Sequence, residues 1–323
     1  MRKKRIVLIT SVLVFFLCGL FIISKIFLSK KRPPPYQNEI WSIGIYEGDS
    51  PFSFSDVPGI ANPVLTAQDV SDAEAVFVAD PFMIREEGTW YMFFEVFNKK
   101  SHHGDIGMAT SDDGRRWAYQ QIVLDEPFHL SYPYVFKWNN EFYIIPESHE
   151  SGGLQLYKAV NFPFDWACLG TLVKGDFVDP SILFRNQKIW LFTETNPEGN
   201  DRLCLYYADS LMGPWISHPK NPLIDGDANI ARPGGRIIWV DGQVIRFAQD
   251  DDPTYGNRVR AFEITELTTE SYKERELLMN PPLKGSSSGW NADGMHHIDL
   301  HQLEKGRWIA CVDGCRFQHL NSK

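Results

Sequence analysis

The chain has 323 residues, 43% of them hydrophobic and 14% aromatic, with 32 basic against 41 acidic side chains and a formal net charge of −9. That is enough apolar material for a large core, which excludes both intrinsic disorder and a disulfide-stapled miniature. Eight of the basic residues and none of the acids fall in the first 32 positions, so ~24 basic face ~41 acidic side chains thereafter, and that acidic balance argues against nucleic acid as a partner.

Residues 1–32 read as a separate object: a basic stub MRKKR, an uncharged stretch over residues 6–24, then KIFLSKKR. At ~1.5 Å per residue the uncharged stretch makes a helix of roughly 28 Å, close to the hydrocarbon thickness of a bilayer. This predicts a transmembrane anchor. The rival is a cleaved signal peptide, but no small-x-small cleavage site follows the apolar run. Four basic residues flank each side, so the positive-inside rule nearly ties. The shorter N-terminal cluster with its free amine favours a cytoplasmic N-terminus, and so a single-pass membrane protein whose remainder is extracytoplasmic or lumenal. Residues 33–40, opening with Pro33, Pro34 and Pro35, form a stiff linker, and residues 41–323 form the folded domain.

Residues 40–46 (IWSIGIY) predict a strand that arrives before the first repeat. The repeat itself starts at residues 78–95, VADPFMIREEGTWYMFFE. A polar opener followed by proline (Asp80, Pro81) begins an apolar run. A polar turn and a second aromatic-rich run follow, ending in a carboxylate, Glu95. The pattern returns at Tyr132 with Glu147, at Asp179 with Glu194, at Arg232 with Asp250, and at His296 and His297 with Asp313. Runs rich in Val, Ile, Phe, Tyr and Trp joined by Glu-Gly, Asn-Asn or Asp-Gly are β-hairpins. Successive opener prolines are 52, 47 and 53 residues apart, the length at which four-stranded blades repeat around an axis. The sequence therefore predicts an all-β, five-bladed β-propeller preceded by one transmembrane helix. Trp117, Trp166 and Trp215, at intervals of 49, each follow a third strand and are expected to pack between blades. The chain stops ten residues after Asp313, so an N-terminal strand is expected to complete the last blade and remove an open edge.

Antiparallel pairing puts the start of the first strand beside the end of the second, so openers and closers should ring one mouth of the channel. Any single closer has a bland alternative, which is to cap a strand end. The candidate catalytic residues are Asp80, Asp179, Glu147 and Glu194. The candidate substrate-binding residues are Arg232, Arg236, His129, Tyr132, Asp250, His296 and His297. Asp250, Asp251 and Asp252 read either as a calcium loop or as an acidic turn. The cysteines have no zinc or thioredoxin spacing; Cys311 and Cys315 read as a disulfide in an oxidising compartment or as buried thiols.

The Asp-Pro openers resemble those of the five-bladed glycoside hydrolases that include arabinanases and β-xylosidases. That resemblance implies a general base at Asp80, a modulating aspartate at Asp179, and an axial metal or water at the blade-five histidines. No other cofactor is expected. The hydrolases' blade-four glutamate acid has no counterpart, because that stretch reads ARPGGR. The motifs WSIGIYEGDSPF, VADPF, GDIGMATS, LDEPFHLSYPYVF, IIPES, LYKAVNFPFDW and VDG resemble, more closely, the N-terminal propeller domain of the glucosamine inositolphosphorylceramide transferase family. Its plant members carry a second, C-terminal glycosyltransferase domain, and this chain is expected to lack it. Three readings follow. The first is a glycosyltransferase or transferase component acting on a glycan or glycolipid, with Arg232 and Arg236 holding an anionic group such as a sugar nucleotide. The second is a non-catalytic glycan-binding module, and the third a glycoside hydrolase with a substitute acid.

Overall fold

The computed structural model describes residues 39–277, 282–304 and 306–318, and its strands gather into five antiparallel sheets. The N-terminal strands β1 (Glu39–Ser50) and β2 (Ser53–Asp56) are followed by blade one: β3 (Ala75–Glu86), β4 (Thr89–Asn98), β5 (His103–Ser111) and β6 (Ala118–Leu124). Blade two is β7 (Ser131–Trp138), β8 (Glu141–Glu147), β9 (Gly153–Asn161) and β10 (Asp165–Lys174). Blade three is β11 (Val178–Arg185), β12 (Lys188–Glu194) and β13 (Arg202–Ala208), with the short β14 (Ile216–Ser217) and β15 (Ile224–Asp225) both on β13. Blade four is β16 (Ile238–Val240), β17 (Gln243–Asp250) and β18 (Arg258–Leu267), with β19 (Tyr272–Glu276) and β20 (Leu283–Lys284) on β18. Blade five joins β21 (Ile298–Glu304) and β22 (Arg307–Phe317) to the N-terminal pair, in the order β2-β1-β22-β21. The chain is thus a five-bladed propeller closed by its own N-terminal strands. Closure uses two of them where the sequence reading expected one.

The hairpin register comes from the turn residues. Glu87 and Gly88, Asn139 and Asn140, Asn186 and Gln187, and Asp241 and Gly242 all have positive φ, between 49° and 94°. Two consecutive left-handed residues make the mirror-image two-residue turn whose twist matches that of the flanking strands. Asn, Asp and Gly tolerate that conformation best. The openers depart from the ladder in a shared way. Pairing skips two residues between Ala79 and Phe82, between Ser131 and Tyr134, and between Val178 and Ser181. Asp80, Tyr132 and Asp179 therefore sit in bulges with φ of 53°, 45° and 49°. A bulge re-aims a side chain, and left-handed non-glycine residues are costly enough to persist only where their surroundings hold them. In blade four Pro233, Gly234 and Gly235 replace a continuous inner strand, leaving only isolated bridges from Pro233 to Ala248 and from Gly235 to Ile298.

The three repeated tryptophans pack as expected. Trp166 of blade two meets Phe93 of blade one edge-on, with ring centroids 5.5 Å apart. Trp117 lies against a cluster shared by blades one and five, and Trp215 against one that includes blade two. Each indole also donates to a carbonyl three or four residues back: Gly114, Pro163 and Leu211. Cys311 and Cys315 are both buried, and no disulfide joins them. The predicted anchor and residues 33–38 of the predicted linker lie outside the described residues, and the linker's last two, Glu39 and Ile40, already belong to β1. Among the described residues, no helix is long and apolar enough to cross a membrane.

Candidate active site at the mouth of the propeller

The register confirms that openers and closers share one end. Ala79 pairs with Glu95, Ser131 with Glu147, and Val178 with Glu194, each one residue before the opener. Asp80, Glu95, Glu147, Asp179 and Asp313 are all buried and close enough to repel one another. Inside this acidic mouth, among the described residues, sits the half-buried Arg232. Arg232 donates from Nε to Asp179 Oδ2 at 2.6 Å, from Nη1 to Asn200 Oδ1 at 3.0 Å, and from Nη2 to Glu147 Oε2 at 3.5 Å. Its guanidinium carbon lies 5.4 Å from the centre of the Tyr255 ring. Gln249 adds a second donor to Asp179 Oδ2. On Glu147 the cost of burial is outweighed by the His149 hydrogen bond and by Arg232, which hold it down at about 2. Burial raises Asp179 above the ordinary carboxylate range despite Arg232.

On the blade-five side, His296 Nδ1 lies 2.7 Å from Asp313 Oδ2, and its Nε2 lies 3.8 Å from Asp80 Oδ1. The Asp80 backbone N–H also donates to Asp313. Burial works against the imidazolium, but Asp313 outweighs it and carries His296 up to about 9. Trp41, from the closing strand β1, stacks on the His296 ring at 4.1 Å. Closure of the propeller and assembly of the site are therefore one event. Burial pushes Asp80 up to about 6, His296 pulling it back and Asp313 pushing it further. Asp80 Oδ1 has no hydrogen-bond donor among the described residues. Burial holds His297 down at about 4, so its ring is neutral; it packs edge-on between Phe82 and Tyr132.

The other candidates fall into different places. Tyr132 crosses the axis beneath the mouth, its hydroxyl accepting from the Gly235 N–H at 2.6 Å. His129 borders the mouth, with Nδ1 accepting from the Gly104 N–H and Nε2 3.8 Å from Glu95. Glu194 caps a loop through the amides of Asn196 and Arg202, and Asp250 is held by Arg258 and Arg260. Arg236 sits a layer deeper. Its Nε is 2.6 Å from Asp299 and its Nη2 donates to the carbonyls of Met83 and Val135, so it is engaged there and is not brought together with Arg232. Asn200, Gln249, His149, Tyr255 and Trp41 complete the site and were not among the candidates. Asn200, His149 and Tyr255 lie in connections and Trp41 in the closing strand, outside the repeated spacing, whereas Gln249 is in β17, one residue before the closer Asp250.

Asp80, His296 and Asp313 offer ligand atoms within 4.8 Å of one another, the arrangement that the expected axial cation would require. In the present geometry His296 Nδ1 stands directly against Asp313 Oδ2, at 2.7 Å. Asp250, Asp251 and Asp252 do not form such a group among the described residues.

Residues 35–315 match the family described as glucosamine inositolphosphorylceramide transferase 1, N-terminal. Glucosamine inositolphosphorylceramide transferase 1 of Arabidopsis thaliana is 39% identical over 298 residues, and that of Oryza sativa subsp. japonica 37% over 297. Each match covers 85% of this chain but only 39–40% of the relative. Among solved structures, an exo-1,5-α-L-arabinanase from a bovine ruminal metagenomic library superposes with a TM-score of 0.55 at 13% identity, over 73% of this chain and 92% of the other. A GH130-family glycoside hydrolase that targets β-1,2-mannosidic linkages reaches 0.58 at 12% identity, over 84% and 94%. At such identities the likeness speaks for the fold alone.

Proposed function

Because the chain belongs to the glucosamine inositolphosphorylceramide transferase family and carries its N-terminal propeller domain, we propose that it serves glycosyl transfer to a glycolipid, with the acidic mouth receiving the hydroxyl-bearing ring of the headgroup. The observation that carries this reading is Asp80: a buried carboxylate at the mouth with a free oxygen, backed by the His296 and Asp313 pair. At neutral pH a group at about 6 is ionised yet basic enough to take a proton from an acceptor hydroxyl as its oxygen attacks the anomeric carbon of the donor. The donor's leaving phosphate departs as an anion and needs no acid. The relatives' name joins an amino sugar, an inositol phosphate and a ceramide, and a lipid-linked acceptor suits a chain anchored by residues 6–24 with its propeller extracytoplasmic or lumenal. The chain spans about 40% of the length of the curated relatives it matches, so their whole activity reaches it only as part of this proposal.

The anion clamp expected of Arg232 and Arg236 gains no support, since both guanidiniums already face carboxylates. The same ion pairs weaken the hydrolase reading. Glu147 and Asp179 are turned onto Arg232, whereas a glycosidase needs two carboxylates facing across the bond. They favour glycan binding without turnover as the second reading.

The test uses the full chain on vesicles containing inositolphosphorylceramide, with a nucleotide-activated hexosamine as donor. Transfer that is lost in Asp80→Asn while vesicle binding stays within a few-fold supports the proposal. Binding without transfer by the unmodified chain selects the binding module, and release of free sugar from a glycoside selects the hydrolase.

A further inference from the structure

The start of β5 has two faces. Alternation along a strand places His103 and Asp105 on one side and Gly104 on the other. Gly104 faces the mouth so closely that a Cβ there would lie 2.3 Å from the Leu130 carbonyl oxygen and 2.8 Å from Glu95 Oε1. On the opposite side, His103 and Asp105 meet Asp125, the first residue after β6, and each offers a ligand atom within 4.8 Å of the others. Asp105 is 1% exposed. Its Oδ2 accepts from Asn98 at 2.9 Å, whereas Oδ1, 3.4 Å from His103 Nδ1, has no hydrogen-bond donor among the described residues. Burial raises the Asp105 carboxyl, and Asp125 facing it adds to the rise. Two carboxylates turned together beside a half-buried imidazole repel unless a cation or a proton stands between them.

We propose that His103, Asp105 and Asp125 bind a divalent transition metal ion of the zinc type, which fastens the connection between blades one and two to strand β5. One imidazole nitrogen and two carboxylate oxygens suit Zn²⁺, with water completing the shell on the exposed Asp125 side. What the ion fastens is the segment over residues 125–130. That segment already hydrogen-bonds to both sides of Gly104: its N–H donates to His129 Nδ1, and its carbonyl accepts from the Leu130 N–H, each at 2.9 Å. A cation on one face of β5 therefore holds His129 against Glu95 on the other. This proposal is independent of the transferase reading and stands or falls without it.

The experiment is zinc titration of the full chain in detergent after chelator treatment, by calorimetry and by melting temperature, comparing the unmodified protein with Asp125→Asn and His103→Gln. Asp125 is exposed, so Asp125→Asn should fold and melt within a few degrees of the unmodified apo protein. One zinc equivalent is expected in the unmodified chain, with a rise in melting temperature. In both variants the affinity should fall at least tenfold and the rise should disappear. Absence of a bound equivalent, or an equivalent that survives both substitutions, overturns the site. The second outcome would place the ion elsewhere, for example at Asp80, His296 and Asp313.

Discussion

Arg232 Nε lies 2.6 Å from Asp179 Oδ2 across 53 residues of sequence, and this contact gives the mouth its charge. The Arg232 guanidinium is taken up by Asp179 and Glu147, so among the described residues at this part of the mouth what remains for a ligand is carboxylate. Removing the arginine should therefore act on stability before it acts on binding. Arg232→Met leaves two buried carboxylates without their cation, which typically costs about 3–5 kcal/mol. Arg232→Lys should recover part of this, and Arg232→Glu should fare worse than Met by adding a third carboxylate. Denaturant unfolding at neutral pH checks the series; a Met variant within about 1 kcal/mol of the parent, far below the usual cost of breaking a buried pair, would mean the contact holds nothing.

The His296 and Asp313 pair gives a pH signature of definite sign. His296 is raised from its ordinary 6.5 to about 9, so its contribution is complete below 6.5 and is lost as pH climbs through 9. At roughly 1.4 kcal/mol per unit the full effect is on the order of 3 kcal/mol. Melting temperature should fall between pH 6.5 and 9, and His296→Gln should flatten that fall. An unchanged slope in the variant would assign the pH dependence to another group.

The N-terminal strands carry the third expectation. Strand β1 pairs with β22 and also delivers Trp41 onto His296, so deletion of Glu39–Ser50 opens blade five and strips one wall of the site together. The shortened protein should fail to melt cooperatively. If it melts at the parent's temperature, the closing strand is dispensable.

The repeat, the two-residue turns, the convergence of openers and closers, and the N-terminal closure were all legible, because each rests on local turn chemistry or on fixed spacing. Depth along the axis was not. Arg232 and Arg236 are four residues apart and read as one basic pair, yet Gly234 and Gly235 carry the chain down a layer, where Asp299 takes up the second guanidinium. Glu194, at the closers' spacing of 15, and Asp250, at 18, were drawn to loop amides and to Arg258 and Arg260, as the bland reading of a closer allowed. Asn200, His149 and Tyr255 come from connections of unequal length, where no period could mark them.

That descent of the chain depends on Gly235. Its φ is 137°, and a Cβ would lie 1.8 Å from the Ile298 carbonyl oxygen, backbone that cannot move aside. Gly235→Ala should unfold the domain or cost well over ~3 kcal/mol, through strain and lost bridges alike. Gly59 also has positive φ, at 80°, but nothing lies within 4 Å of its Cβ position, so Gly59→Ala should cost only about 1 kcal/mol. Comparable losses at both positions would show that backbone angle, and not the packing at the axis, sets the requirement.

Turnover should report Asp80 directly. On the proposed reading Asp80 is the base and must be ionised, so kcat/KM for transfer is expected to rise with pH through about 6 and then level off. The His296 imidazolium favours the ionised form of Asp80. His296→Gln should therefore move the limb to higher pH while leaving the plateau within an order of magnitude. Asp80→Asn should lower the plateau by about 10² to 10⁴ and abolish the limb, the usual worth of a positioned acid or base. A group that only shaped the mouth would change KM and leave the midpoint in place. An acid limb that persists unmoved in Asp80→Asn would remove Asp80 from the chemistry and pass the role to another mouth carboxylate, of which Glu95, pushed well above its ordinary range by burial and its acidic neighbours, is the first to examine.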